Sequence, residues 1–173
     1  EPLGIPTMAA VQPITDGTVA HIDPGVLHPG LKRLLEVRQT VGLRNPGHSV
    51  VKLMQPGVGT QIVVSSYTHP EYFSMICDTF ATLQMQAVLT RGLEGEVVSD
   101  PRRTPQIHGF VNGEHTELAT QQPGTLSEVP GLPTEIDAAT TADYTRRVLA
   151  GDAPIPESIT RQVHHITQLA AQL

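Results

Sequence analysis

The stretch QIVVSSYTHPEYFSMICDTFATLQMQAVLT, residues 61–90, decides the fold. Gln61 to Ser65 is short and β-branched, as a buried strand requires. His69-Pro70 opens a helix running to about Leu83, because proline fits the first helical turn, and Gln86 to Thr90 is the next apolar run. A strand, helix, strand unit sets its two strands parallel with the helix packed across them. The expected class is therefore α/β, with an open sheet.

The segments on either side extend this unit. Ile107 to Val111 and His115 to Ala119 flank Asn112-Gly113, a dipeptide that tolerates the positive φ of a tight hairpin turn, so a hairpin is expected. Residues 120–135 are polar, with three Pro and two Gly, and read as a long loop. Two helices follow, near Thr141 to Ala150 and Pro156 to Leu173, parted by Gly151 to Ile155. In the second, Ile159, Val163, Ile166 and Leu169 recur as the core stripe of an amphipathic helix does. Upstream, Leu31, Leu34 and Leu35 keep helical spacing from Pro29 until Gly42 ends the element. Asn45-Pro46-Gly47 makes a turn, and Ser49 to Met54 is a short apolar helix stopped by Gln55-Pro56-Gly57. Leu3 to Gly30 is rich in Pro and Gly and reads as an irregular connector with one short strand at Thr18 to Ile22.

Composition fits a globular domain: 39% of the 173 residues are hydrophobic and 16% charged. Aromatic residues make up only 3% and Trp is absent, which leaves the core to Leu, Val, Ile and Ala and makes base-stacking platforms scarce. Cys77 is the single cysteine, so no internal disulfide is possible and a reducing, cytoplasmic setting is expected. No run is long and apolar enough for a membrane span. The net charge of −6 is unevenly placed: residues 1–103 hold eight Lys/Arg against nine Asp/Glu, and residues 104–173 three against eight. Nine of the eleven basic residues are Arg, whose planar fork suits phosphate and carboxylate.

Arg38 stands out from pattern alone. It follows Leu31 by seven positions, on the face of Leu34 and Leu35, which points a cation toward the core side. Such a charge is paired, hydrogen-bonded or turned into a cleft; the other reading is a helix-end Arg whose stem packs while its head reaches solvent. Arg91-Gly92-Leu93-Glu94-Gly95-Glu96 follows a strand, and ligands of open α/β sheets gather beyond the carboxyl ends of strands. Glu94 and Glu96 are hard oxygen ligands suited to Mg²⁺, or else charges on a surface turn. Arg102-Arg103 is a basic pair in a loop, able to take a phosphate or simply to sit in solvent. The eight histidines show no zinc-type spacing; His28 and His69 precede Pro at helix starts, where capping is the common role, and His48 is more open to a site role. Cys77 lies mid-helix among apolar neighbours, where an inert thiol is expected.

Leu27-His28-Pro29-Gly30-Leu31, Val37-Arg38, Val41-Gly42-Leu43-Arg44-Asn45, His48, Lys52-Leu53 and Gln55-Pro56 stand in an order that resembles the anthranilate phosphoribosyltransferase family, or glycosyl transferase family 3. His69-Pro70-Glu71-Tyr72 and Arg91 to Glu96 extend the resemblance and are most similar to its YbiB-type, nucleic-acid-binding branch. The motifs cover about residues 18–112. The resemblance implies a phosphoribosyltransferase or nucleoside phosphorylase-like α/β domain with C-terminal helices. Residues 1–173 would be its C-terminal part, with the N-terminal helical domain and the diphosphate-binding loop upstream in family order.

The resemblance also implies two functions. For the YbiB-type branch it is dimeric binding of DNA or RNA with little sequence preference, with Arg38, Arg44, Lys52, Arg91, Arg102 and Arg103 on phosphate. For the enzymes it is transfer of phosphoribose from phosphoribosyl diphosphate to anthranilate or a similar aromatic amine, a step of tryptophan biosynthesis. There Arg38 falls at the arginine that binds the anthranilate carboxylate, His28 lines the same tunnel, His48 stands where the enzymes have Asn, and Lys52 stands where they have Pro. Their adjacent Asp-Glu pair for Mg²⁺ corresponds to Glu94 and Glu96, split here by Gly95. The chemistry expected of these motifs is degenerate, so nucleic-acid binding leads and the transferase is the alternative.

Overall fold

The computed structural model describes residues 2–173. In chain order the elements are β1 (Thr7–Met8), β2 (His21–Ile22), α1 (Pro24–Leu27), α2 (Pro29–Val41), α3 (Gly47–Val50), a 3₁₀ turn (Val51–Leu53), β3 (Ile62–Tyr67), α4 (Glu71–Thr82), β4 (Gln86–Arg91), β5 (Ile107–Val111), β6 (Glu114–Ala119), α5 (Ala138–Ala150) and α6 (Glu157–Ala170). The fold is α/β, as residues 61–90 predict. The chain divides into two units: a helical unit of residues up to 56 together with 133–149, and a sheet unit of residues 57–132 and 150–173. Among the described residues no helix is long and apolar enough to cross a membrane.

The sheet unit is built on four strands in the order β3-β4-β5-β6. β3 and β4 are parallel, with Val64 opposite Val88, and α4 connects them. β5 runs antiparallel to β4, and β6 to β5. The expected hairpin turn is present: Asn112 and Gly113 take φ of 48° and 78°. A Cβ at Gly113 would stand 2.8 Å from Ala81 Cα, so glycine is needed for space as well as for φ. The Gln86 side chain spans to this turn, accepting from Asn112 N–H at 2.7 Å and donating to Asn112 Oδ1 at 2.7 Å.

Alternation along β5 divides the core between the two sheet faces. Ile107 joins Val88, Ala119 and Leu169 in a cluster that Ile166 of α6 also covers. Phe110 points to the opposite face and meets Phe80 of α4 edge to face, ring centres 4.9 Å apart. Both phenylalanines are wholly buried. The expected stripe on α6 needs correction. Leu169 is buried, but Val163 is 53% exposed, and the remaining buried positions of the helix are Ser158 and Gln162. Gln162 accepts from Ser99 N–H at 2.9 Å and donates to Val97 C=O at 2.7 Å, and Ser158 donates to Asp100 C=O at 2.9 Å. One face of α6 therefore holds the loop after β4 by hydrogen bonds, which an apolar spacing rule cannot register.

In the helical unit, α2 starts and stops on the predicted residues. His28 caps it, Nδ1 accepting from Leu31 N–H at 3.1 Å, Pro29 takes the first turn, and Gly42 closes it at φ 76°. The connector before it holds more structure than its Pro and Gly content suggests: β1 and β2 form a two-residue parallel ribbon, and Asp23 caps the single turn α1. The predicted helix at Ser49 to Met54 is instead α3, beginning at Gly47, followed by the 3₁₀ turn. α5 is opened by Asp137, which accepts from the N–H groups of Ala139 and Thr140 at 2.9 Å each.

Candidate functional site

Asn45 is the residue that builds the site. Its Nδ2 donates to Leu34 C=O at 2.6 Å and its Oδ1 accepts from Gly47 N–H at 2.9 Å, which ties α3 to the middle of α2. Gly47 permits this approach, since a Cβ there would stand 2.9 Å from Leu34 Cδ2. The tie brings His48 beside the face of α2 that carries Arg38. Between them opens a cleft of about 440 Å³ lined by Asp23, Lys32, Glu36, Arg38, Gln39 and His48, with Pro24 and Leu35 as its apolar part.

Two of the three substrate-binding residues expected from the sequence thus share one cleft. The third, His28, is exposed, caps α2, and is not among the residues lining the cleft. Arg38 does not point at a core: it is exposed, and α2 buries none of its residues. The spacing with Leu34 and Leu35 identified a shared helix face correctly, but that face is open. His48 is half-buried, its Nδ1 3.3 Å from Asn45 N and 3.2 Å from Asn45 O.

Lys32 and Asp23 form an ion pair of 3.1 Å on the cleft wall. The Gly25 N–H, then the Lys32 ammonium, hold the Asp23 carboxyl below the usual carboxylate range. A second, wider cleft of about 770 Å³ in the same unit shares Asp23, Lys32 and Glu36 and adds Arg33. Sequence reasoning passed over Lys32 and Arg33. The available signal was charge density: residues 28–56 hold five Lys/Arg (Lys32, Arg33, Arg38, Arg44 and Lys52) against the single acid Glu36. Arg33, Arg38 and Arg44 are exposed, and none makes an ion pair among the described residues.

The other basic candidates lie in the sheet unit. Arg91 ends β4, exposed, with Tyr67 as its register partner on β3. Burial pushes the Tyr67 hydroxyl up, against the charge of Arg91. Arg102 and Arg103 both turn to Asp100, at 3.3 Å and 3.6 Å. Partial burial opposes ionisation of Asp100, yet the Arg102 N–H and guanidinium together with the Arg103 charge hold its carboxyl below the ordinary range. These two arginines are thus already partnered by a carboxylate.

The Glu96 carboxylate is turned back onto its own loop. Both oxygens of Glu96 are engaged by its own loop, accepting from Leu93 N–H at 2.7 Å and Glu94 N–H at 2.8 Å. Burial works against this carboxylate, but these backbone groups outweigh it and hold Glu96 below its usual range. No group of three or more His, Cys, Asp or Glu side chains is arranged for a metal ion among the described residues. A Mg²⁺ ion at Glu96 would have to share the carboxylate with the Leu93 and Glu94 N–H groups.

The chain matches no family model. It is 37% identical over 140 residues to the uncharacterized protein YbiB of Escherichia coli (strain K12), a match taking in 80% of this chain. The match covers 43% of that protein, so the chain spans less than half the length of its curated relative.

Proposed function

We propose, from similarity to YbiB and the charge of residues 28–56, that the chain binds nucleic acid through the phosphate backbone with little sequence preference. One observation carries the reading: residues 28–56 concentrate five basic residues against one acid, with Arg33, Arg38 and Arg44 exposed and without ion pairs among the described residues. Exposed guanidinium groups attract phosphate and release its condensed counterions, a contribution that ignores base identity. Low aromatic content leaves little means of reading bases by stacking. The net charge of −6 restricts contact to this local segment, so binding belongs to low salt. In the anthranilate phosphoribosyltransferase resemblance this is the behaviour of the YbiB-type branch, where Arg44 and Lys52 join Arg38 on phosphate and the protein acts as a dimer.

The cleft favours a second reading, transfer of phosphoribose to an aromatic amine. Arg38 and His48 meet in a space large enough for a small aromatic acid, with a guanidinium to hold its carboxylate. The Glu96 carboxylate works against this reading, because both its oxygens already accept backbone N–H groups that a metal holding a diphosphate would compete with. Titrating a short labelled DNA at stepwise salt, with phosphoribosyl diphosphate as competitor, separates the two. Binding that weakens with salt and persists in the competitor supports the first reading; no binding at low salt overturns it. Mg²⁺-dependent, saturable consumption of phosphoribosyl diphosphate, lost in Arg38→Ala, would put the transferase first.

A further inference from the structure

On the α4 face of the sheet two histidines lie in direct contact. His108 Nδ1 and His115 Nε2 are 2.9 Å apart, across the β5–β6 hairpin. His108 is 4% exposed, and its second nitrogen, Nε2, is buried with no hydrogen-bond partner. Phe73 of α4 packs on this ring at 4.6 Å between centres and reaches His115 at 6.0 Å. His115 is exposed and stacks on Phe110 at 5.0 Å and 22°. The pair is therefore the surface on which the first turns of α4 rest.

We propose that the His108–His115 pair is a proton-sensitive latch, holding α4 on the β5–β6 hairpin until the two rings must carry two charges and releasing it then. With both rings neutral, one N–H donates and the other ring accepts. With one ring charged, its N–H donates to the neutral partner across the same 2.9 Å contact. A second proton makes both facing nitrogens donors and places an imidazolium in an apolar setting, so the bond is lost and the rings repel.

The surroundings offer little relief. β6 supplies His115 and Glu117, the latter opposite His108 in register. Glu117 already accepts a hydrogen bond from Gln106. β4 supplies Leu89, and α4 supplies uncharged Phe73. Behind Phe73 stands Tyr67 of β3, 5.2 Å away, a phenol whose proton affinity burial raises further. Burial first, then His115, lowers the proton affinity of His108, and Glu117 opposes them. Because the folded value is depressed, the stabilisation is complete above the unfolded histidine range, near pH 6.5, and is lost as pH falls below it toward the folded value.

The test is a pH titration of the histidine ring resonances of the protein by NMR, with unfolding followed in denaturant for wild type and His108→Phe. Expected is that the His108 ring signal holds still until the amides of α4 lose protection. Below pH 6.5 the wild-type unfolding constant should rise about tenfold more per pH unit than that of the variant, one extra proton being taken up on unfolding. A His108 signal titrating like a free imidazole with α4 protection intact overturns the proposal, as do equal pH slopes for the two proteins. If His108→Phe does not fold, the wild-type ring titration decides alone.

Discussion

The two units bury their side chains very differently. In the sheet unit Phe80, Phe110, Val88 and Leu89 are wholly buried, and even its charged loop is internally matched, with Arg102 and Arg103 on Asp100. In the helical unit α2 buries no residue: Leu34, Val37 and Val41 are 45%, 43% and 59% exposed, and Arg38 and Arg33 stand out in solvent. An amphipathic repeat specifies which side chains share a face, whereas burial requires something to lie on that face. Arg102 and Arg103 are held by Asp100, whereas Arg33, Arg38 and Arg44 make no ion pair among the described residues and are available to an external anion.

The largest expected contrast comes from truncating one large apolar side chain in each unit. Phe80→Ala should cost roughly 3–5 kcal/mol in urea unfolding, because it opens a cavity between α4 and the sheet. Leu34→Ala should cost about 1 kcal/mol or less, its side chain already being half in water. Equal losses would remove the distinction between the units. Next, Gln162→Leu leaves the Ser99 N–H and the Val97 C=O without their partner, at about 2 kcal/mol. Faster amide exchange at Ser99 would confirm the cause.

Smaller effects sharpen the electrostatic half of the comparison. The folded Asp100 carboxyl is held low, so its contribution is present above the unfolded carboxylate range near pH 4 and is lost as pH falls through the folded value. Asp100→Asn should flatten the acid limb of the stability curve. Asp23→Asn should change stability little, its pair with Lys32 being exposed. It should nevertheless tighten DNA binding by releasing Lys32.

The sequence made the skeleton readable because local chemistry settles it. Pro29 and Gly42 bound α2, β-branched residues mark β3, and Asn112-Gly113 turns the hairpin through its positive φ. Less was readable where a residue depends on distant partners. Gln162 occupies a helix position that periodicity leaves polar, and only the fold brings Val97 and Ser99 to it. The His108–His115 contact depends on hairpin register, which sets His115 opposite Phe110, two residues from His108 on the same face. Arg38 and His48 were singled out separately, but their convergence rests on Asn45 reaching Leu34 C=O. Lys32 and Arg33 belong to no motif and no helical-spacing signal, so only the local charge count contains them.

The central claim is that the unpartnered arginines of the helical unit contact phosphate. Its most direct test is the slope of log affinity for a short single-stranded DNA against log salt, compared between wild type and the triple variant Arg33→Gln, Arg38→Gln, Arg44→Gln. At about 0.7 per phosphate contact, the variant slope should be shallower by about 2, with the same loss on two unrelated sequences. Identical slopes for the two proteins would contradict the account.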